Sequence, residues 1–96
     1  MFSWHAAKAN RNFSKHGVSF EEAATLFADA EALDWADTGH SGDEPRFKRL
    51  GKSAAGRVLL TVYTVRRMKD EKETVRIISA RQASRKERQA YAGRPH

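Results

Sequence analysis

Cysteine is missing from this 96-residue chain, which excludes disulfides, thiolate metal sites and thiol catalysis. Long apolar runs are missing too: the most apolar stretch, Val58 to Val65, is far short of a membrane span. The first residues carry no apolar signal segment, so the expected location is cytoplasmic, away from any membrane. Large apolar side chains are scarce, because hydrophobic residues make up 40% of the chain and 15 of them are alanine. The remainder serves one thin core, and the length suits a single domain over residues 1–96. Proline occurs twice, and repeats and low-complexity stretches are absent. No Gly-rich phosphate loop, nucleotide fingerprint or Ser-His-Asp ordering is visible.

What the chain has in excess is positive charge, +6 in total and unevenly placed. Residues 1–45 carry three bases and eight acids, residues 46–65 five bases and no acid, and residues 66–96 ten bases and four acids. An acidic first half followed by a basic second half is the footprint of a surface that meets a polyphosphate. The plain alternative is that the basic residues only solvate a small domain. Membrane-surface binding is disfavoured, because no basic segment carries a strong apolar face.

Local signals predict the order βααββββα. Phe2 to Trp4 reads as a short edge strand. Ala6 to His16 favours a helix, closed by Gly17 at a left-handed C-cap. Ser19-Phe20-Glu21-Glu22 is a capping box that opens a second helix to about Ala28, with Val18 as its staple. Ala32 to Asp37 alternates loosely as a strand, and Thr38 to Asp43 has loop composition. Arg46 to Leu50, Val58 to Val65 and Val75 to Ala80 are the next strands, with a turn over Gly51 to Gly56 and a charged loop over Arg66 to Glu73. Ser84-Arg85-Lys86-Glu87 is a second capping box, opening a helix to about Ala92. That helix offers little apolar surface beyond Ala83, Ala90 and Tyr91, so weak docking is expected. Helices first and a strand meander after indicate an α+β domain with an antiparallel sheet.

The candidate chemistry lies in arginines. Alternation puts Val75, Ile77 and Ser79 on one face of their strand and Arg76, Ile78 and Ala80 on the other. An arginine inside an apolar strand needs a partner or a ligand. Arg46, Arg66 and Arg81 lie at strand ends that a meander can gather around Arg76. Arg81, Arg85, Arg88 and Tyr91 or Ala92 follow helical spacing and form a basic stripe. Arginine clusters bind phosphate bidentately and stabilise a pentacoordinate transition state; the competing reading is an arginine–carboxylate network. For proton transfer His16 is the best-placed group, with Lys15 beside it and Tyr91 near the other end of the chain. A histidine at a helix end also serves simply as a partner of the helix dipole. His40, in the loop Asp37 to Asp43, is a weak metal candidate, and no metal site is expected. Trp4 and Trp35 read as core or interface residues, with base stacking the minority use.

These residues also resemble a known family. Lys8, Asn12, the run Lys15-His16-Gly17-Val18-Ser19-Phe20-Glu21-Glu22-Ala23, Phe27, Asp29, Arg46, Gly51, Val58-Leu59-Leu60, Tyr63, the run Arg76-Ile77-Ile78-Ser79-Ala80-Arg81-Gln82-Ala83, Glu87-Arg88 and Tyr91 look like the BrnT toxins. The resemblance spans almost the whole chain. It implies a RelE-like α+β fold with two N-terminal helices, a four-stranded antiparallel sheet and a short C-terminal helix. It further implies an endoribonuclease that blocks translation, needs no cofactor, and is neutralised by a BrnA-like ribbon-helix-helix antitoxin in a 2:2 complex. Operator DNA would be bound only through the antitoxin. The expected mechanism is metal-independent attack of an RNA 2′-hydroxyl on its neighbouring phosphate. Arg46, Arg66, Arg76 and Arg81 would hold the phosphate, His16 or Lys15 would move protons, and Tyr91 would act as acid or stacking platform. Lys15, Arg85 and Arg88 would grip the RNA backbone. Two positions depart from the family pattern. His5 stands where an aspartate usually caps the first helix, with Ser3 as a substitute cap if the start shifts, and Pro45 stands where a glutamate usually precedes the arginine. The rival readings are a basic RNA- or DNA-binding module without catalysis, and an interaction protein that docks an acidic partner.

Overall fold

The computed structural model describes residues 1–39, 44–67, 69, 70 and 72–93. Its elements are β1 (Phe2–Ser3), α1 (Ala6–His16), α2 (Phe20–Thr25) running into a 3-10 turn (Leu26–Ala28), β2 (Leu33–Ala36), β3 (Phe47–Lys52), β4 (Val58–Arg67), β5 (Glu73–Gln82) and α3 (Arg85–Ala92). The predicted order is the observed one. The expected four-stranded antiparallel sheet is corrected: the sheet has five strands in the order β1-β5-β4-β3-β2, and β1 runs parallel to β5. The opening strand joins because Phe2 finds an apolar partner, its ring 5.2 Å from that of Phe27, while Val75 donates its N–H to Met1 O at 2.9 Å.

The helix signals work as local chemistry dictates. Gly17 closes α1 at φ 68°, and its N–H donates to Phe13 O at 2.8 Å. His5 sits at the N-cap of α1 without a side-chain bond, and Ser3 stays in β1, so the start of the helix is not shifted to a better cap. Ser19 accepts from Glu22 N at 3.0 Å, but only half of the capping box forms. The Glu22 carboxylate turns instead to Arg57 and to the Ser53 hydroxyl, at 2.7 Å from the latter. The Arg57 guanidinium holds the Glu22 carboxyl below its ordinary range. This pair ties the start of α2 to the β3–β4 turn, which residues 53–57 make with Gly56 at φ 83°.

Gly51 belongs to β3 rather than to that turn. A Cβ there would lie 3.0 Å from Ala32 Cβ and 3.3 Å from Asp29 Oδ2, so the strand passes so close to the loop before β2 that a side chain would make the loop give by a few tenths of an ångström. Asp29 Oδ2 accepts from Lys52 N at 2.8 Å, which fixes the approach.

One face of the sheet is covered by α1, α2 and the 3-10 turn. Val18, Phe20, Ala23, Leu26, Leu59, Ile77 and Ala80 form the main core there. Asn12 closes the edge of β5 as a strand residue would: its Nδ2 donates to Ala80 O (2.8 Å) and Val18 O (3.0 Å), and its Oδ1 accepts from Ala80 N at 3.1 Å. Phe27 continues this layer, edge-on to Tyr63 at 4.9 Å with the Arg49 guanidinium 5.1 Å from its centroid. Arg49 and Tyr63 both bond Asp34, at 2.5 and 2.7 Å, and burial together with the Asp34 bond pushes the Tyr63 hydroxyl up to about 12. On the opposite face α3 covers one end only, where Leu50, Leu60, Ala83 and Tyr91 pack with Leu33 and Val58.

Candidate active site

The rest of that second face is the candidate site, and a bulge builds it. Val62 pairs with Ser79 but Tyr63 pairs with Ile77, so Ile78 is an extra residue in β5. Strict alternation would put Arg76 and Arg81, five residues apart, on opposite faces. The bulge reverses the phase between them. Arg76 lies opposite Thr64 and Arg81 opposite Leu60, so both face away from α1 and α2. The same shift turns Ala80 into the main core beside Ile77, which corrects its expected place on the Arg76 face.

Register then fixes the surface. One row across the strands holds Arg76, Thr64 and Arg46, the last placed by the bond from Asp37 N to Arg46 O at 2.8 Å. The row toward α3 holds Ser79, Val62, Lys48 and Trp35. Beyond it come Arg81, Leu60, Leu50 and Leu33, under α3.

Lys8, Glu44, Arg46, Thr64, Arg66, Arg76 and Ile78 line a shallow pocket of about 270 Å³ on this face. Its cations come from four separate parts of the chain: α1, the segment before β3, the end of β4 and the middle of β5. Glu44 takes Arg66 bidentately, Nε to Oε2 at 3.0 Å and Nη2 to Oε1 at 2.7 Å. That bond first, and the charges of Arg66 and Arg76 with it, hold the Glu44 carboxyl below its ordinary range. Thr64 Oγ1 donates to Pro45 O at 2.6 Å and so pins the segment that carries Glu44 and Arg46 against β4. Such a pocket can hold a phosphate, spread charge over its oxygens, and offer one carboxylate as a proton acceptor.

Of the residues expected from sequence, Arg46, Arg66 and Arg76 are brought together here. Arg66 and Arg67 extend β4 rather than start a loop. Arg81 shares the face but is committed to Glu87, at 2.7 and 2.9 Å, which pulls the Glu87 carboxyl down to about 2. The expected stripe of Arg81, Arg85, Arg88 and Tyr91 does not form, because Arg81 lies in β5 and α3 begins at Arg85. Arg85 is exposed, and Arg88 donates to Ala83 O at 2.8 Å. Tyr91 is 7% exposed in the core under α3, and its hydroxyl donates to Asp29 Oδ2 at 2.5 Å. His16, half-buried, and Lys15, exposed, sit at the end of α1 and do not line the pocket. His40 lies outside the described residues, and among those described no group of three metal-ligating side chains occurs.

Lys8 and Glu44 are the charged pocket residues that site reasoning from sequence missed. Lys8 had a signal: it lies four residues before Asn12, hence on the helix face that meets β5. Glu44 had none, since only the folded path of the segment before β3 brings it beside Arg66.

Comparisons with known proteins agree with this fold. Residues 4–87 match the family model described as the ribonuclease toxin BrnT of type II toxin–antitoxin systems. The crystal structure of the Brucella abortus ribonuclease toxin BrnT is similar, with a TM-score of 0.61 at 19% identity over 88% of this chain and 99% of that one. No curated protein sequence matches. Among the described residues no helix is long and apolar enough to cross a membrane. With the match running through α1, α2 and every strand from β2 to β5, the chain belongs to the BrnT family, the ribonuclease toxins of type II toxin–antitoxin systems.

Proposed function

We propose that the chain is an endoribonuclease that cuts single-stranded RNA without a metal, through attack of a 2′-hydroxyl on its own 3′-phosphate. The observation that carries this reading is the convergence of Lys8, Arg46, Arg66 and Arg76 on one pocket with a single carboxylate, Glu44. The phosphate takes the place of Glu44 as the bidentate partner of Arg66, with Arg46 and Arg76 completing the cradle. Losing Arg66 raises the proton affinity of Glu44 at the moment a proton must be taken from the 2′-hydroxyl. The new 2′-O–P bond forms and the P–5′-O bond breaks. The extra charge of the phosphorane is spread over the guanidinium groups, and the Lys8 ammonium gives its proton to the leaving 5′-oxygen. The products are a 2′,3′-cyclic phosphate and a 5′-hydroxyl. The mechanism uses Lys8 and Glu44 for proton transfer in place of His16, Lys15 and Tyr91, because those three lie outside the pocket.

A type II toxin has an antitoxin partner. We read that partner as a BrnA-like ribbon-helix-helix protein, two toxin chains on one antitoxin dimer, whose acidic segment covers the basic face and which alone binds operator DNA. Family membership and the charge of the face support this assignment.

The test is incubation of the purified chain with a defined single-stranded RNA in EDTA, with mapping of the fragment ends. Cyclic-phosphate and 5′-hydroxyl ends, lost in Arg76→Ala, are expected. RNA that stays intact both free and on translating ribosomes, yet binds with strong salt dependence, would replace the enzyme by a backbone-gripping module.

A further inference from the structure

The basic pocket is one end of a larger open surface, and the other end carries an aromatic ring. Trp35 is 41% exposed, in a chain with few large apolar side chains to spend. Its neighbours fix its direction. Leu33 packs into the cluster under α3, while Asp34 turns to the other side, to Arg49 and Tyr63. Alternation therefore stands Trp35 on the same face as the pocket. It lies opposite Lys48, which lies opposite Val62. Arg46, two residues before Lys48, is the diagonal neighbour of Trp35, a separation of about 7–8 Å in an antiparallel pair. Among the described residues, the apolar cluster that Tyr91 of α3 joins takes in the row of Leu33, Leu50 and Leu60 and leaves Trp35 outside it.

We propose that Trp35 is a base-stacking platform for a nucleotide flanking the cleaved phosphate, with Lys48 holding the backbone between them. The inference rests on the RNA-cleaving reading of the pocket and extends it to how the substrate is positioned. A flat ring beside a line of cations matches what a single strand presents, a planar base attached to a polyanion. Lys48 and Arg46 supply the charge complementarity, and Trp35 supplies a π-face that any base can use. Trp35 is a positioning residue: it raises affinity for RNA long enough to reach it, and it does not touch the reacting atoms.

The experiment measures affinity for a short fluorescent RNA whose 2′-hydroxyls are methylated to prevent cleavage. It compares the natural chain, Trp35→Ala and Trp35→Phe, and repeats each with a single abasic residue moved along the RNA. Trp35→Ala should weaken binding about tenfold and Trp35→Phe about threefold or less, in line with stacking of one base. In the natural chain one abasic position should lose the same factor, and in Trp35→Ala that position should lose nothing further, because the base and the ring act as one pair. Equal affinity in natural chain and Trp35→Ala, or an abasic penalty that persists in Trp35→Ala, would overturn the stacking role while leaving the arginine pocket intact. A natural chain that binds no RNA, with Arg76→Ala no different, would overturn both. If Trp35→Ala weakened the antitoxin complex but not RNA binding, the ring would belong to a protein interface and the proposal would fall.

Discussion

The two faces of the sheet are made by the same strands but finished differently. Against α1 and α2, apolar side chains interlock and the polar ones are mostly committed to partners in the fold: Asn12 on the β5 backbone, Arg49 and Tyr63 on Asp34. On the other face α3 covers one end, and beyond it Arg46, Arg66 and Arg76 gather around one carboxylate, with Lys48 in the row between. Neighbouring residues on one strand thus serve different purposes. Ile77 is 2% exposed in the core while Arg76 lines the pocket. Stability and chemistry are interleaved at a period of two, so substitutions one residue apart should separate them.

The largest effect expected is on the open face. Arg76→Ala should lower the cleavage rate about 10²–10³-fold, the range for loss of one transition-state donor. Its thermal midpoint should stay within a few degrees of that of the natural chain, as scanning calorimetry would show. Cleavage retained at full rate would remove Arg76 from the site. Asn12→Ala should reverse the pattern. It strands Val18 O and both backbone groups of Ala80 in a buried setting, a loss of about 3 kcal/mol. Urea unfolding would report that loss, while the activity per folded molecule stays unchanged.

A smaller change in the opposite direction is expected at Thr61. Its side chain is fully buried, and its hydroxyl has no partner among the described residues. Thr61→Val keeps the shape, removes the stranded hydroxyl and should add about 1 kcal/mol in the same urea measurement. A destabilised Thr61→Val would mean that the hydroxyl is satisfied.

The smallest effect concerns α3. Bonding to Arg81 depresses the Glu87 carboxyl from 4.5 to about 2 in the folded chain. A depressed carboxylate contributes stability above its unfolded value, and that contribution is lost as pH falls through the folded value. Acidification from pH 4.5 toward 2 should therefore loosen α3, and Glu87→Gln should cancel this dependence. Amide exchange along residues 85–92 would resolve it, and identical pH profiles in the two proteins would refute it.

Most of the framework was legible because its signals are local. Gly17, both serine caps and the β-branched run from Val58 act over a few residues, and each element they predict is present. The longest unbroken run of the family resemblance, Lys15 to Ala23, is largely spent on this framework: a left-handed cap at Gly17, then Val18, Phe20 and Ala23 in the core. The site was legible in part. Arg46, Arg66 and Arg76 were visible as charges at or within strands. The bulge was not, since a register shift depends on the partner strand. The commitments of Glu22 to Arg57 and of Arg81 to Glu87 were hidden for different reasons: the first spans 35 residues, and the second needs a bend between strand and helix.

The extra residue at Ile78 also shows where this chain can vary. In a strand one residue is half a period, and the bulge absorbs at position 78 a residue that a regular ladder would turn into a reversal of faces. Exchange of Ile78 for another apolar residue leaves both arginines where they are. Deletion of it, with the pairing of Ser79 to Gln82 kept, leaves Ile77 opposite Tyr63 and Arg76 opposite Thr64, so both arginines stay on the open face. Lineages of this fold are thus free to rewrite the letter at this place, and to drop it, without changing how the word is read.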